Sequence, residues 1–236
     1  MKNRNEIESS IIDHFSKKIE PYGFSLNEKK IKSEHYADYL YKDPGGIQYK
    51  LSIIFIKPNF LKYDNYLSVS SPETTEVIRS LDPSFNGEIW KILSIRLNSY
   101  LHPKNSDGYH NSNETIDKNI ETEPDTAGIE DLSNDLFQTY FLPCINRIIP
   151  ETNSLVKIDS LLNQVPNLME LNKAIKIRVH SETLVHQVLA GAIIAKLVDS
   201  PNYGFVAKRY LAYAEKFPLG KIGDIDLMRI FIEGKF

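Results

Sequence analysis

Residues 47–57, Ile-Gln-Tyr-Lys-Leu-Ser-Ile-Ile-Phe-Ile-Lys, alternate between apolar and polar side chains along most of their length. A period of two is typical of a strand in an antiparallel sheet with one covered face. The preceding Asp43-Pro44-Gly45-Gly46 has the chemistry of a turn, because Pro presets φ and Gly allows positive φ. The face predicted to be buried carries Ile47, Tyr49, Leu51, Ile53 and Phe55.

Other strands are predicted on both sides of this one, over residues 24–32, 35–41 and 66–70. The short connections favour an antiparallel meander of three or four strands. An amphipathic helix is predicted before the sheet and should cover one of its faces. The sequence therefore predicts an α+β fold with an N-terminal helix, a meander and a helical C-terminal half. The apolar stripe of the first helix is Ile7, Ile11, Ile12, Phe15 and Ile19.

The segment after the meander begins with Ser71-Pro72-Glu73, which predicts an N-cap, a first-turn Pro and a first-turn acid for a helix to Leu81. Residues 89–101 fit both a strand and a helical stripe, and we favour the helix. Residues 103–128 are rich in Asn, Asp, Glu, Ser and Thr. This composition predicts a mobile acidic loop between a sheet region, 1–102, and a helical region, 129–236. Whether the two regions form one domain or two stays open.

The helical region contains several predicted breaks and caps. Pro143 should kink or break the helix that begins near Ile129, and Ser154 should cap the next helix. Gly191 and nearby alanines should let the helix over 182–198 approach a neighbour closely, in an αα-hairpin with the helix that follows Pro201. Asp224 is predicted to cap the last helix and Gly234 to end it.

Charge and composition exclude several classes of function. The net charge of -3 across 236 residues shows no basic footprint, which disfavours nucleic-acid binding. A weaker nucleic-acid hypothesis would need one basic face. With a single cysteine, no intrachain disulfide forms, and no stretch reads as a signal peptide or membrane span, so we expect a cytoplasmic protein without membrane contact. The basic face would consist of Lys29, Lys30, Lys32, Lys176 and Arg178.

Motifs of catalysis and cofactor binding are missing from the sequence. Nucleotide-binding glycine loops, the H-E-x-x-H zinc motif and the G-x-S-x-G nucleophile elbow are all absent. We therefore expect no cofactor and no metal, and interpret Asp224-Ile-Asp226 as helix-capping residues. Cys144 lies in an apolar run, which favours a buried thiol over a catalytic one. An alternative hypothesis is an enzyme whose site is assembled from distant residues: His180, Glu182, His186 and Tyr210.

Tyrosine is abundant, with 13 copies, and several of them cluster in the meander. Aromatic residues are ordinary strand formers, so sheet packing is the favoured interpretation. The functional interpretation is a face for a partner protein, because tyrosine combines a large apolar ring with a polar tip. The predicted binding residues are Tyr36, Tyr39, Tyr41, Tyr49 and Tyr66.

The order of features resembles that of uncharacterised bacterial domain-of-unknown-function proteins of helix–meander–helix layout. The resemblance covers roughly the first two thirds of the chain and is carried by Gly23-Phe24, Phe141-Leu142-Pro143 and the Leu-rich helix over 155–162. Some of these proteins occur near toxin-immunity loci, so the resemblance implies an interaction role, and it supplies no established catalytic residues to carry over. We therefore expect a non-enzymatic protein-binding module, with an immunity-type inhibitor as its narrower form.

Overall fold

Five antiparallel strands lie side by side in the order in which they occur along the chain. The computed structural model describes residues 4–31, 35–56, 60–87, 90–97, 118–119, 126–163, 181–216 and 222–234. A short sixth strand, β6 (Lys118–Asn119), pairs with β4. The meander predicted from the sequence is confirmed, with slightly more strands than expected. Its members are β1 (Ser25–Lys30), β2 (Tyr36–Lys42), β3 (Gln48–Ile56), β4 (Phe60–Ser70) and β5 (Lys91–Arg96).

Helices precede and follow the sheet, which confirms the α+β class. Helix α1 (Arg4–Ile19) comes first, and α2 (Pro72–Leu81) connects β4 to β5. Within the described ranges, no helix has both the length and the apolar character needed to span a bilayer. The C-terminal half contains α3 (Thr126–Leu136), α4 (Ile149–Thr152), α5 (Leu155–Asn163), α6 (Ser181–Leu197), α7 (Tyr203–Lys216) and α8 (Ile222–Glu233).

The chain divides into two compact units, each assembled from separate segments. The first unit comprises Met1–Lys42, Gln48–Ser68 and Ser94–Pro150, and the second comprises Asp43–Ile47, Val69–Leu93 and Glu151–Phe236. The predicted acidic loop, 103–128, lies outside the described residues apart from 118–119 and 126–128. Its character stays a prediction.

The hairpin of β2 and β3 has the register that the alternating sequence requires. Tyr36 lies opposite Ile54, and Tyr41 lies opposite Tyr49. In the connecting turn, Asp43 Oδ1 accepts a hydrogen bond from the Ile47 N–H at 2.8 Å, and Gly46 adopts a φ of 87°. The turn predicted from Pro and Gly is therefore confirmed.

Helix α1 covers one face of the ribbon formed by β1, β2 and β3. The Phe15 ring lies 5.5 Å from the Tyr39 ring in an edge-to-face arrangement, and the Ser16 hydroxyl lies 3.1 Å from the Tyr39 hydroxyl. Helix α1 also packs against α3 within the same unit. The predicted buried face of the third strand is confirmed, because Ile47, Tyr49, Leu51, Ile53 and Phe55 are all buried.

The helix favoured for residues 89–101 is wrong, because residues 91–96 form the strand β5 beside β4. Leu93, Ile95 and Leu97 are buried in the alternating pattern of a strand, and Ile92 is buried as well. Strand pairing decided between two patterns that the sequence supported equally, since burial against neighbours outweighs local propensity in sheets. The Trp90 N–H fixes the start of this segment by donating to Thr75 Oγ1 at 3.0 Å.

Pro143 does not break its helix, contrary to one predicted outcome. After α3 the chain continues through two π-helical turns, Phe137–Phe141 and Cys144–Ile148, into α4. The Leu142 N–H bonds to the Phe137 carbonyl, and the Ile149 N–H bonds to the Cys144 carbonyl. In an α-helix the ring of proline would clash with the carbonyl four residues earlier. The wider π turns before Pro143 and Pro150 keep the chain helical.

Two predicted helix caps of the second unit are confirmed and a third is wrong. Ser71 Oγ accepts from the Glu73 N–H at 3.2 Å, and Ser154 Oγ accepts from the Lys157 N–H at 3.3 Å. Asp224 lies inside α8, which begins two residues earlier at Ile222, so it is a first-turn acid rather than the cap. Gly234 ends α8 with a φ of 66°, as predicted.

Helices α6 and α7 form the predicted αα-hairpin. A Cβ added to Gly191 of α6 would lie 2.6 Å from the ring of Tyr210 on α7 and 2.9 Å from Asn163 Oδ1. No side chain larger than hydrogen fits there without displacing a neighbour, so the predicted close approach at Gly191 is confirmed.

Candidate functional site

Four of the five tyrosines predicted to bind a partner are divided between the two faces of the ribbon, and the fifth, Tyr66, lies on β4. Tyr39 and Tyr49 are fully buried, which assigns them to the core. The Tyr39 hydroxyl lies 3.3 Å from the Ile12 carbonyl oxygen, and burial raises the pKa of this phenol far above its ordinary value. Tyr41 is half-buried on the same face, Tyr36 is half-buried on the opposite face, and Tyr66 is half-buried on β4.

Aromatic rings of the first unit form a continuous cluster around Phe141. The Phe141 ring lies 5.1 Å from Phe24, 5.2 Å from Tyr22 and 5.4 Å from Phe137. The cluster continues through Phe24 to Tyr41, whose ring stacks at 5.0 Å. Its members come from α1, the following turn, the ribbon and the first π turn. They are Phe15, Tyr22, Phe24, Tyr39, Tyr41, Tyr49, Phe137 and Phe141.

One end of this cluster reaches the surface, and we name its three members Tyr22, Tyr41 and Phe137 the aromatic rim. The Tyr22 side chain is 41% exposed, while Tyr41 and Phe137 are half-buried. Behind them, Phe24 and Phe141 are buried. The exposed rings are therefore held by buried rings, which limits the side-chain entropy that they would lose on binding.

Gly23 explains why the rim forms at this point. Its φ of 84° ends the short 3₁₀ turn Glu20–Tyr22, and its N–H donates to the Glu20 carbonyl oxygen at 2.9 Å. A Cβ at this position would lie 3.3 Å from Tyr41 Cε2. Glycine is required twice, because the backbone is left-handed and the ring of Tyr41 approaches closely.

The opposite face of the ribbon, which we name the open face, carries ion pairs beside half-buried apolar groups. Tyr36 donates to Glu28 Oε2 at 2.7 Å, and Lys50 Nζ lies 2.9 Å from Asp38 Oδ2. The hydrogen bond from Tyr36, followed by that from Lys30, lowers the pKa of Glu28. The same bond to Glu28 raises the pKa of Tyr36.

The residues of the enzyme hypothesis are described only in part, so their convergence stays a prediction. His180 lies outside the described residues, and Glu182 and His186 lie on α6 with side chains that are not described. Tyr210 is buried, and its hydroxyl lies 2.8 Å from both the Leu162 carbonyl oxygen and Asn163 Oδ1. Burial raises the pKa of Tyr210. The hydroxyl group of Tyr210 therefore links α7 to the end of α5 by hydrogen bonding.

Cys144 and the basic residues can be placed as far as they are described. Cys144 is a fully buried free thiol, and burial raises its pKa far above the ordinary value, so it is not a nucleophile in this fold.

The basic residues of the nucleic-acid hypothesis are described only in part. Lys29 lies 2.8 Å from Asp13, and Lys30 lies 3.2 Å from Glu28. Lys32, Lys176 and Arg178 lie outside the described residues. Across the described part of the chain, no three His, Cys, Asp or Glu side chains are grouped to hold a metal ion.

A buried ion pair was missed by sequence reasoning. Glu8 of α1 is fully buried, with Oε1 accepting from Arg4 Nε and Oε2 lying 2.8 Å from His35 Nδ1. His35 has a φ of 53°, a left-handed conformation that is uncommon outside glycine. The sequence indicates that Glu8 is buried, because it lies three residues before Ile11 and four before Ile12, on the apolar stripe of α1.

Comparison of the chain with protein-family models, with curated proteins and with solved structures gives no match in any of the three.

Proposed function

We propose that this chain is a non-enzymatic protein-binding module and that the aromatic rim contacts its partner. The observation that carries the proposal is the 41% exposure of Tyr22 at the end of a cluster whose inner rings are buried. Tyrosine and other aromatic residues dominate the energetics of protein interfaces, especially where a rigid ring can enter a partner's pocket. The half-buried Tyr41 supplies a second phenol at the same surface.

The rim has the physical properties that a recognition surface needs. Tyr22 contacts Phe137 at 5.9 Å and Phe141 at 5.2 Å, so its ring is supported on the protein side. A partner would then contact a surface whose shape is already fixed. Binding would cost little ordering of side chains, and removal of one central ring should weaken a complex by about 2 kcal/mol or more.

Site-specific photo-crosslinking tests the proposal. A benzophenone amino acid at position 22 should give one discrete adduct in the native host, and the same group at Val156, which is 62% exposed in the second unit, should not give that adduct. Once the partner is purified, Tyr22→Ala should weaken binding at least tenfold, while Val156→Ala should leave the affinity unchanged. Equal affinities for both variants, or the same adduct from both positions, would overturn the assignment of the rim.

The narrower form of the proposal is an immunity-type inhibitor that acts in the bacterial cytoplasm. It is supported by the resemblance described above and by a single cysteine that is free and buried. The test is co-expression with the product of each neighbouring gene. Rescue of growth from a toxic neighbour, lost in Tyr22→Ala, is the expected result. If no neighbour is toxic, the immunity role is excluded while the binding proposal stands.

A second candidate function is catalysis, and the buried Glu8–His35 pair favours it. Glu8 Oε2 lies 2.8 Å from His35 Nδ1, so a buried carboxyl group orients the imidazole ring. The His35 side chain is 30% exposed, so part of it is accessible to a substrate. A base oriented by a carboxylate is a recurrent arrangement in hydrolases.

A panel of chromogenic ester and phosphate substrates tests this second candidate. If His35 is a general base, His35→Asn should reduce turnover by about 10²–10⁴-fold. Asparagine is chosen because it tolerates positive φ. Tyr22→Ala should leave turnover unchanged. Turnover that survives His35→Asn in a folded protein, or a wild-type chain that turns over none of the substrates, counts against the catalytic role.

A further inference from the structure

We draw no further inference here: the strongest candidate, the exposed ring of Phe205 in the first turn of α7, is an apolar surface patch, and nothing in the described residues shows what covers it.

Discussion

The two faces of the β1–β2–β3 ribbon are built on the same backbone and use tyrosine in opposite ways. On the face beneath α1, Tyr39 is sealed against Phe15, and its contribution is apolar burial. On the open face, Tyr36 is half-buried, and its phenol is committed to the Glu28 carboxylate at 2.7 Å. Residue type alone therefore does not assign a tyrosine to a core or to a surface. The assignment depends on which face the strand register gives it.

The largest expected effect comes from truncating one tyrosine on each face of the ribbon. Tyr39→Ala should lower the free energy of unfolding by about 3–5 kcal/mol, because it leaves a cavity beneath α1. Tyr36→Ala should lower the free energy of unfolding much less, because its site is partly solvated. Urea denaturation followed by circular dichroism measures both values. Comparable losses for the two variants would show that the faces are not distinct.

Charged residues test the same contrast between a covered and an exposed site, starting from the ion pair between Arg4 and the buried Glu8 of α1. Arg4→Ala should cost about 2 kcal/mol, because the fully buried Glu8 keeps only His35 as a partner. Arg229→Ala is the matched control and should cost much less, since Arg229 is exposed and pairs with the exposed Glu215 at 2.9 Å. The same urea titrations apply. An Arg4 variant as stable as the Arg229 variant would mean that solvent reaches Glu8.

The smallest expected effect is a titration on the open face. Tyr36→Phe should return the pKa of Glu28 upward toward its ordinary value of 4.5, because the hydrogen bond from Tyr36 is the main cause of its lowered pKa. Carboxyl chemical shifts followed by NMR against pH measure this change. Tyr39→Phe is the control on the sealed face and should leave Glu28 unaffected.

The same pair sets a pH window for stability. The Glu28 pKa is lowered by folding, so its contribution is present above pH 4.5 and is lost as the pH falls through the lowered pKa. The Tyr36 pKa is raised, so its contribution is present below pH 10.0 and is lost as the pH rises through the raised pKa. The stability difference between wild type and Tyr36→Phe should therefore shrink at both extremes. A difference that is constant with pH would contradict this linkage.

The ribbon could be predicted from the sequence because its signal is local. Alternation along β3, the Pro-Gly-Gly turn and the stripe of α1 each specify the same buried face. The aromatic rim could not be predicted in the same way. Tyr22 and Phe137 are far apart in sequence, and only the left-handed Gly23 and the first π turn bring their rings to within 5.9 Å.

Two failures have a common physical origin. Residues 91–96 matched a helix and a strand equally well, and pairing beside β4, which no local pattern reports, selected the strand. The burial of Glu8 was not predicted, although its place on the stripe of α1 indicated it, because His35, one of its two partners, is distant in the sequence. In both cases one deciding partner is distant in the sequence: β4 for residues 91–96 and His35 for Glu8.

The two π turns change the spacing of the inward-facing side chains along this helical segment. Each closes its hydrogen bonds over five residues instead of four, so the chain rotates less per residue than in an α-helix. A sequence pattern that assumes the α-helical rotation of about 100° per residue therefore no longer matches the positions of the side chains between Phe137 and Ile148. Loss of one residue at either turn would restore the α-helical step but would set the following proline ring against the carbonyl four residues earlier, so we expect a one-residue deletion to be tolerated only together with replacement of that proline.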